Sequence, residues 1–239
     1  MEGRSGSGRF PLAVAVALLL VAGCAGSPFA DPGTMTTQRR TIPTSATGVD
    51  LADSGGLVVE EGPTASLTIT AGDTVMPHLT NEVKDGVVVL GVDGSRNIGR
   101  VTYRLVLPKL TSVRISGSGG ATAPSATGDG LSVVIDGSGA VKVDSVKVAT
   151  VKVDIGGSGG VDLTGTSGDQ TVSIDGSGAY SGAHLATRRT TVTIGGSGGA
   201  HVNVAEKLTV RIDGSGSVTY AGDPNVTKDI SGSGHVVQQ

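Results

Sequence analysis

Seven times in the second half of this chain an isoleucine is followed, two residues on, by the triplet Gly-Ser-Gly. The isoleucines are Ile115, Ile135, Ile155, Ile174, Ile194, Ile212 and Ile230. The central serines are Ser118, Ser138, Ser158, Ser177, Ser197, Ser215 and Ser233, so the spacings run 20, 20, 19, 20, 18 and 18. A period near twenty marks a repeating architecture, in which each unit buries its apolar face only by stacking on its neighbours. The chain holds 40 glycines, yet 37% of its residues are hydrophobic, which is enough to build a core. The glycines are periodic, so they point to bends and close backbone approach rather than to a flexible linker.

With each isoleucine numbered as position 0, position −2 is Val113, Val133, Val153, Val172, Val192 and Val210, and then Lys228. Position +6 is Ala121, Val141, Val161, Tyr180, Ala200, Val218 and Val236, and position +8 is Ala123, Val143, Leu163, Gly182, Val202 and Tyr220. Side chains alternate faces along a strand, so the even set can point inward and the odd set, with Asp136, Ser138 and Lys142, toward water. Two apolar segments joined by a glycine bend, followed by a more variable return, make one coil of a parallel β-solenoid. Seven coils at the spacing of neighbouring strands form a rod on the order of 30 Å tall. A competing register exists. The residue after isoleucine and the residue after the triplet both partly alternate, which would suit one flattened coil holding two triplets. We favour one triplet per coil.

Residues 49 to 110 contain further β-type runs at Leu57–Glu60, Leu67–Thr70, Val87–Leu90 and Val101–Leu107, the last stopped by Pro108. One helical turn fits between Asp73 and Glu82. The region is expected to cap or begin the rod at one end. A solenoid has two exposed ends, each a potential aggregation edge. The tail after Gly234 is too short for a separate cap, so the last strand calls for cover by the chain's own return, by a partner or by a second copy.

The N-terminus reads as a targeting segment. Arg4 and Arg9 precede an apolar stretch from Phe10 to Ala22, too short for a transmembrane helix, and it ends in Val21-Ala22-Gly23-Cys24. That ending resembles the bacterial lipoprotein processing box, in which the cysteine is acylated and becomes the first mature residue. Cys24 is the only cysteine, and exported chains otherwise use cysteines in pairs. The expected organisation is a signal peptide over 1–23, a flexible tether over 24–41 rich in Pro, Ser, Thr and Gly, and a folded domain over 42–239. That domain divides into an N-terminal β portion (42–110) and the Gly-Ser-Gly repeats (111–239). The whole chain has a formal charge of −3 and no basic block, which argues against a nucleic-acid partner and against electrostatic attraction to anionic lipid.

Two stretches taken together carry a family resemblance. The first is Thr47-Gly-Val-Asp-Leu, Leu57-Val-Val-Glu-Glu-Gly, Pro77-His-Leu-Thr-Asn-Glu-Val-Lys-Asp-Gly-Val-Val-Val-Leu-Gly and Tyr103-Arg-Leu-Val-Leu-Pro. The second is the run of Ile-x-Gly-Ser-Gly units. In this order they resemble the GIN-type head domain of the putative auto-transporter adhesin family. The resemblance covers nearly all of residues 42 to 239. It implies a parallel β-helix with an N-terminal β portion on a secreted or lipid-anchored envelope protein, and it supplies no catalytic residue.

Candidate chemistry is sparse. Asp136, Asp175 and Asp213 recur at position +1, two coils apart, which at one rung per coil separates them by roughly 9 to 10 Å. Calcium ligands lie within about 2.6 Å of their ion, so these carboxylates cannot share one. An inverting glycosidase pair, separated by roughly 6.5 to 9.5 Å, is the enzymatic alternative. The plainer reading is an Asx turn against the glycine bend. A nucleophilic serine needs a base and an orienting group, and His78, His184, His201 and His235 occupy no shared repeat position. No metal-ligand spacing and no cofactor motif occurs. Tyr180 and Tyr220 fall on inward positions, and without tryptophan there is no ready platform for sugar stacking. The sequence therefore supports an envelope lipoprotein on the extracytoplasmic face of the cell membrane. Its expected role is adhesion to, or binding of, an envelope protein or surface glycan. The alternatives are a polysaccharide-active β-helix enzyme using the aspartate ladder and a module that self-associates through its exposed end.

Overall fold

The computed structural model describes residues 33–94 and 98–239. The signal segment, Cys24 and the start of the tether lie outside the described residues. What is described is all-β apart from one short 3-10 turn, Met76–His78. No helix among the described residues is long and apolar enough to cross a membrane.

The repeats stack one triplet per coil. Ile135 pairs with Ile115 below it and Ile155 above it, and the ladder continues through Ile174, Ile194, Ile212 and Ile230 in parallel register. The strands are β8 (Ser112–Ile115), β9 (Gly120–Ala123), β10 (Ala126–Ile135), β11 (Ala140–Ile155), β12 (Gly160–Ile174), β13 (Ala179–Ile194), β14 (Gly199–Gly214), β15 (Ser217–Ala221), β16 (Asn225–Gly232) and β17 (His235–Gln238). β11 to β14 each run from one bend to the next and so contribute more than one side of a coil.

Burial shows three inward stretches per coil. In β11, Val141 and Val143 face in, then Val146 and Val148, then Val151, Val153 and Ile155. Two consecutive exposed residues at Asp144-Ser145 and again at Ala149-Thr150 mark the corners between them. Each exposed pair flips the parity. The even positions are therefore inward only through +8, and the return side uses +11 and +13, contrary to an even set that holds all the way round. This return side also absorbs the shortening from 20 to 18 residues. Pairing between β13 and β14 slips between Gly182 and Ala186, so Val202 lies beside Gly182 while Asn203 lies beside Ala186. The bend and its two flanking sides keep their register.

The glycines of the bend are dictated by the coil beneath. A Cβ on Gly139 would lie 2.4 Å from Cγ2 of Ile115, and the same clash recurs at 2.6 Å for Gly159 over Ile135 and Gly198 over Ile174. The branched methyl of each isoleucine fills the space the missing side chain leaves one coil up. A Cβ on the first glycine of the triplet would meet the carbonyl oxygen of its counterpart, 2.2 Å away for Gly157 over Gly137. The backbones meet there because they hydrogen-bond through the bend, as in Ser177 N–H to Gly157 O at 3.2 Å and Ser197 N–H to Gly176 O at 2.9 Å. Six of the seven isoleucines are no more than 1% exposed, each such burial contributing roughly 1.5–3 kcal/mol.

The N-terminal portion is continuous with the rod but is not laid down in chain order. β1 (Met35–Thr41), β2 (Gly48–Leu51), β3 (Gly56–Glu61), β4 (Ser66–Gly72), β5 (Leu79–Lys84), β6 (Val87–Val92) and β7 (Thr102–Leu107) supply it. β2 and β3 form the coil directly below β8 and β9, and β6 and β7 form the coil below that. The end is closed by reversed strands: β5 pairs antiparallel with β6, β4 antiparallel with β7, and β1 antiparallel with β4. One expectation needs correction here. Residues 35–41 of the expected tether form β1, because Met35 to Thr41 match the edge of β4 residue for residue. The expected helical turn is present as Met76–His78, and the strand Leu79–Lys84 follows it directly.

Candidate functional site

Position +5, the residue after each triplet, faces outward on the side that follows the bend. Along the rod it is Gly120, Ala140, Gly160, Ala179 and Gly199, with Gly56 in line below. A Cβ added to Gly120 would meet no atom nearer than 3.8 Å, and one on Gly160 none nearer than 3.9 Å. These residues are small without any clash requiring it. The result is a shallow groove of about 800 Å³ running across the coils, floored mainly by carbon. Val58 and Thr102 stand at its N-terminal end, and Thr122, Lys142, Asp162, Ser181 and His201 at position +7 form its polar border. Lys142 is tied to Asp144, whose hydrogen bond and charge hold the ammonium above its ordinary range.

The candidate residues read from the sequence lie elsewhere. All seven triplet serines are exposed along the corner beside the groove. Asp136, Asp175 and Asp213 are exposed and remain two coils apart. The expected Asx turns are not what holds Asp136 and Asp213. Asp136 pairs with Arg114 of the coil below. Asp213 accepts from Nε of Arg211 at 3.0 Å, and Arg211 also reaches Asp229 at 2.8 Å. Arginine at −1 competes successfully because side chains on one face of neighbouring rungs lie within reach. Cys24 falls outside the described residues. Tyr180 and Tyr220 point into the core as expected. Among the described residues no three His, Cys, Asp or Glu side chains gather to hold a metal.

Two buried polar clusters were not singled out from the sequence. Asp53 is 6% exposed and accepts from the Tyr103 hydroxyl at 2.5 Å and from Gly55 N–H at 2.7 Å. Burial, then the Asp53 bond and charge, push the Tyr103 phenol far above its usual range. The signal was present: Leu51-Ala-Asp-Ser-Gly55 is an eighth bend, with leucine for isoleucine and aspartate for the first glycine, and Leu51 pairs directly with Ile115. The second cluster joins Gln170, Tyr180, Thr190 and Thr187 inside the repeats, where Gln170 donates to the Tyr180 hydroxyl and accepts from Thr190 at 3.2 Å. Burial raises the Tyr180 phenol as well. Gly182 makes room for that ring, since a Cβ there would lie 2.4 Å from the hydroxyl. Both clusters are internal and satisfied, so they position the core rather than a ligand.

Comparison with known proteins agrees with this geometry. The crystal structure of a putative adhesin from Bacteroides fragilis NCTC 9343 superposes with a TM-score of 0.77 at 23% identity, covering 85% of this chain and 95% of that one. A putative adhesin from Parabacteroides distasonis ATCC 8503 gives 0.69 at 20% identity over 87% and 98% of the two chains. From the same organism, a structure described as a putative lipid binding protein gives 0.67 at 20% identity over 85% and 96%. At these identities the likeness is one of fold. None of the curated proteins compared with the chain matches it in sequence. Residues 45–224 match the family described as putative auto-transporter adhesin, head GIN domain. The repeat, the reversed N-terminal cap and this match together place the chain in that family.

Proposed function

We propose that this protein is a non-enzymatic binding module of the cell envelope. In this reading it is anchored to the membrane through an acylated Cys24 and engages its partner along the glycine–alanine groove. Membership of an adhesin-like family supports a surface or envelope protein. The observation that carries the reading is the groove itself, an apolar floor spanning coils from Gly56 to Gly199. Its flanking groups are single polar side chains at one per coil, an arrangement suited to a long ligand rather than to a reaction centre. The aspartate ladder does not favour the hydrolytic alternative, because its three members are exposed and Arg114 and Arg211 already pair with two of them. The name of one structural neighbour, a putative lipid binding protein, makes an acyl chain a ligand class to include with envelope glycans and proteins.

The test uses residues 33–239, which contain the whole described core, incubated with cell envelopes and separately with their lipid extract. Ala140→Leu with Ala179→Leu fills the floor from positions whose side chains point to open space. The expected result is capture of envelope material by the natural sequence and at least a tenfold loss in the double variant, about 1.4 kcal/mol. Equal capture by both proteins would overturn the groove as the binding face. Cleavage of an envelope polysaccharide by the purified protein would overturn the non-enzymatic reading.

A further inference from the structure

The last coil departs from the repeat at the one position where departure matters most. Position −2 is valine in the six preceding coils and buried in each, but lysine at 228. Lys228 pairs with Val210 in register, so its side chain leaves β16 in the direction of the core column. Among the described residues no strand stacks above it. Its Nζ crosses the open end of the coil and donates to the Val236 carbonyl oxygen at 3.4 Å, on β17 of the opposite side. His235 N–H and Gln239 N–H both bond to the coil below. The carbonyl of Val236, between them, is thus turned to the open end and is one that a further coil would otherwise take up.

This end also holds Ile230 and Val237, 38% and 49% exposed, the large hydrophobics exposed among the described residues. An edge of unpaired backbone with exposed branched side chains is a template for another copy. The opposite end is treated in a parallel way. Arg40 of β1 donates from Nη1 to the Leu79 carbonyl at 2.8 Å and to Asn81 Oδ1 at 2.6 Å, both on β5, fastening the two edge strands of the N-terminal end to each other.

We propose that Lys228 closes the C-terminal end of the rod against a second copy of the chain. It lays a charged strap over the core cross-section and occupies an edge carbonyl, so that stacking another copy on this end would bury an ammonium in the interface. An uncompensated buried charge is among the most unfavourable outcomes of an interface. The C-terminal edge of the described residues then disfavours stacking by another copy although it offers unpaired backbone groups.

The test compares residues 33–239 with Lys228→Val, Lys228→Ala and Lys228→Arg by light scattering over a range of concentrations. Circular dichroism confirms the β spectrum of each. Valine is the residue the repeat itself uses here, and alanine removes the strap without adding apolar bulk. The natural chain and Lys228→Arg are expected to hold a monomer mass. Lys228→Val is expected to rise at least roughly twofold with concentration, reversibly on dilution, and Lys228→Ala to rise less. A natural chain that associates to the same extent as Lys228→Val, or valine and alanine variants that stay monomeric, would overturn the proposal.

Discussion

A methyl group added at Gly139 would sit 2.4 Å from both Cγ2 of Ile115 and the carbonyl oxygen of Gly119, one of them backbone and neither free to swing away. The same methyl at Gly120, one repeat position further on in the coil below, would meet only the Ala140 carbonyl at 3.8 Å. Glycines at two successive repeat positions therefore have opposite meanings. Gly139→Ala is expected to cost about 1–3 kcal/mol as overpacking. Gly120→Ala should leave stability unchanged or raise it by up to about 1 kcal/mol by restricting the unfolded chain. Urea midpoints of the two variants check this. Tyrosine supplies a second residue-scale outcome. Burial and the Asp53 bond raise the Tyr103 phenol, and burial raises Tyr180. Unfolded tyrosine ionises at about pH 10. A folded value above the unfolded one means that the contribution is complete below about pH 10 and is lost as pH climbs beyond it toward the folded value. The denaturation midpoint should fall above that pH, and Tyr103→Phe should make the fall shallower. An identical slope in both proteins would contradict the assignment.

Strands were most legible where their side chains had a periodic reason to be apolar. β3, β4, β6 and β7 are readable because each is a short run rich in branched apolar residues that ends near a turn residue or proline. β1 was not. Met35-Thr-Thr-Gln-Arg-Arg-Thr has no apolar face, since the strand is held by its ladder to β4 and by Arg40 rather than by burial. β5 was missed for a related reason: Leu79 is its one buried residue, and pairing with β6 decides its shape. The bend at Leu51–Gly55 was hidden by an aspartate in place of the glycine that the repeat demands. The carboxylate there is met by the Tyr103 hydroxyl and the Gly55 N–H. The parity of the return side could not be read either, because it depends on where two exposed residues fall in succession. The groove was visible in part. The alternation of glycine and alanine after each triplet stands in the sequence as a mark of register. That these residues face open space depends on which side of the sheet they leave, a fact of packing and not of composition.

For the molecule as a whole, successive coils within the Gly-Ser-Gly repeats meet through the same contact, an isoleucine methyl beneath a glycine and a carbonyl beneath an N–H. Coils should then be interchangeable. Removing 140–159 joins Gly139 to Gly160 and brings Ile174 over Ile135, with Gly178 covering the isoleucine that Gly159 covered before. The shortened chain is expected to keep its β spectrum and cooperative melting, and to be shorter by about 4.8 Å, one inter-strand spacing, in X-ray scattering. Collapse or loss of cooperativity would show that particular coils carry something the shared contact does not. If coils can be dealt in and out in this way, the height of the rod and the length of the groove along its flank change together. A lineage could lengthen or trim its reach by duplicating or deleting a unit, and each event would add or remove one small residue of the floor with the polar side chain that borders it.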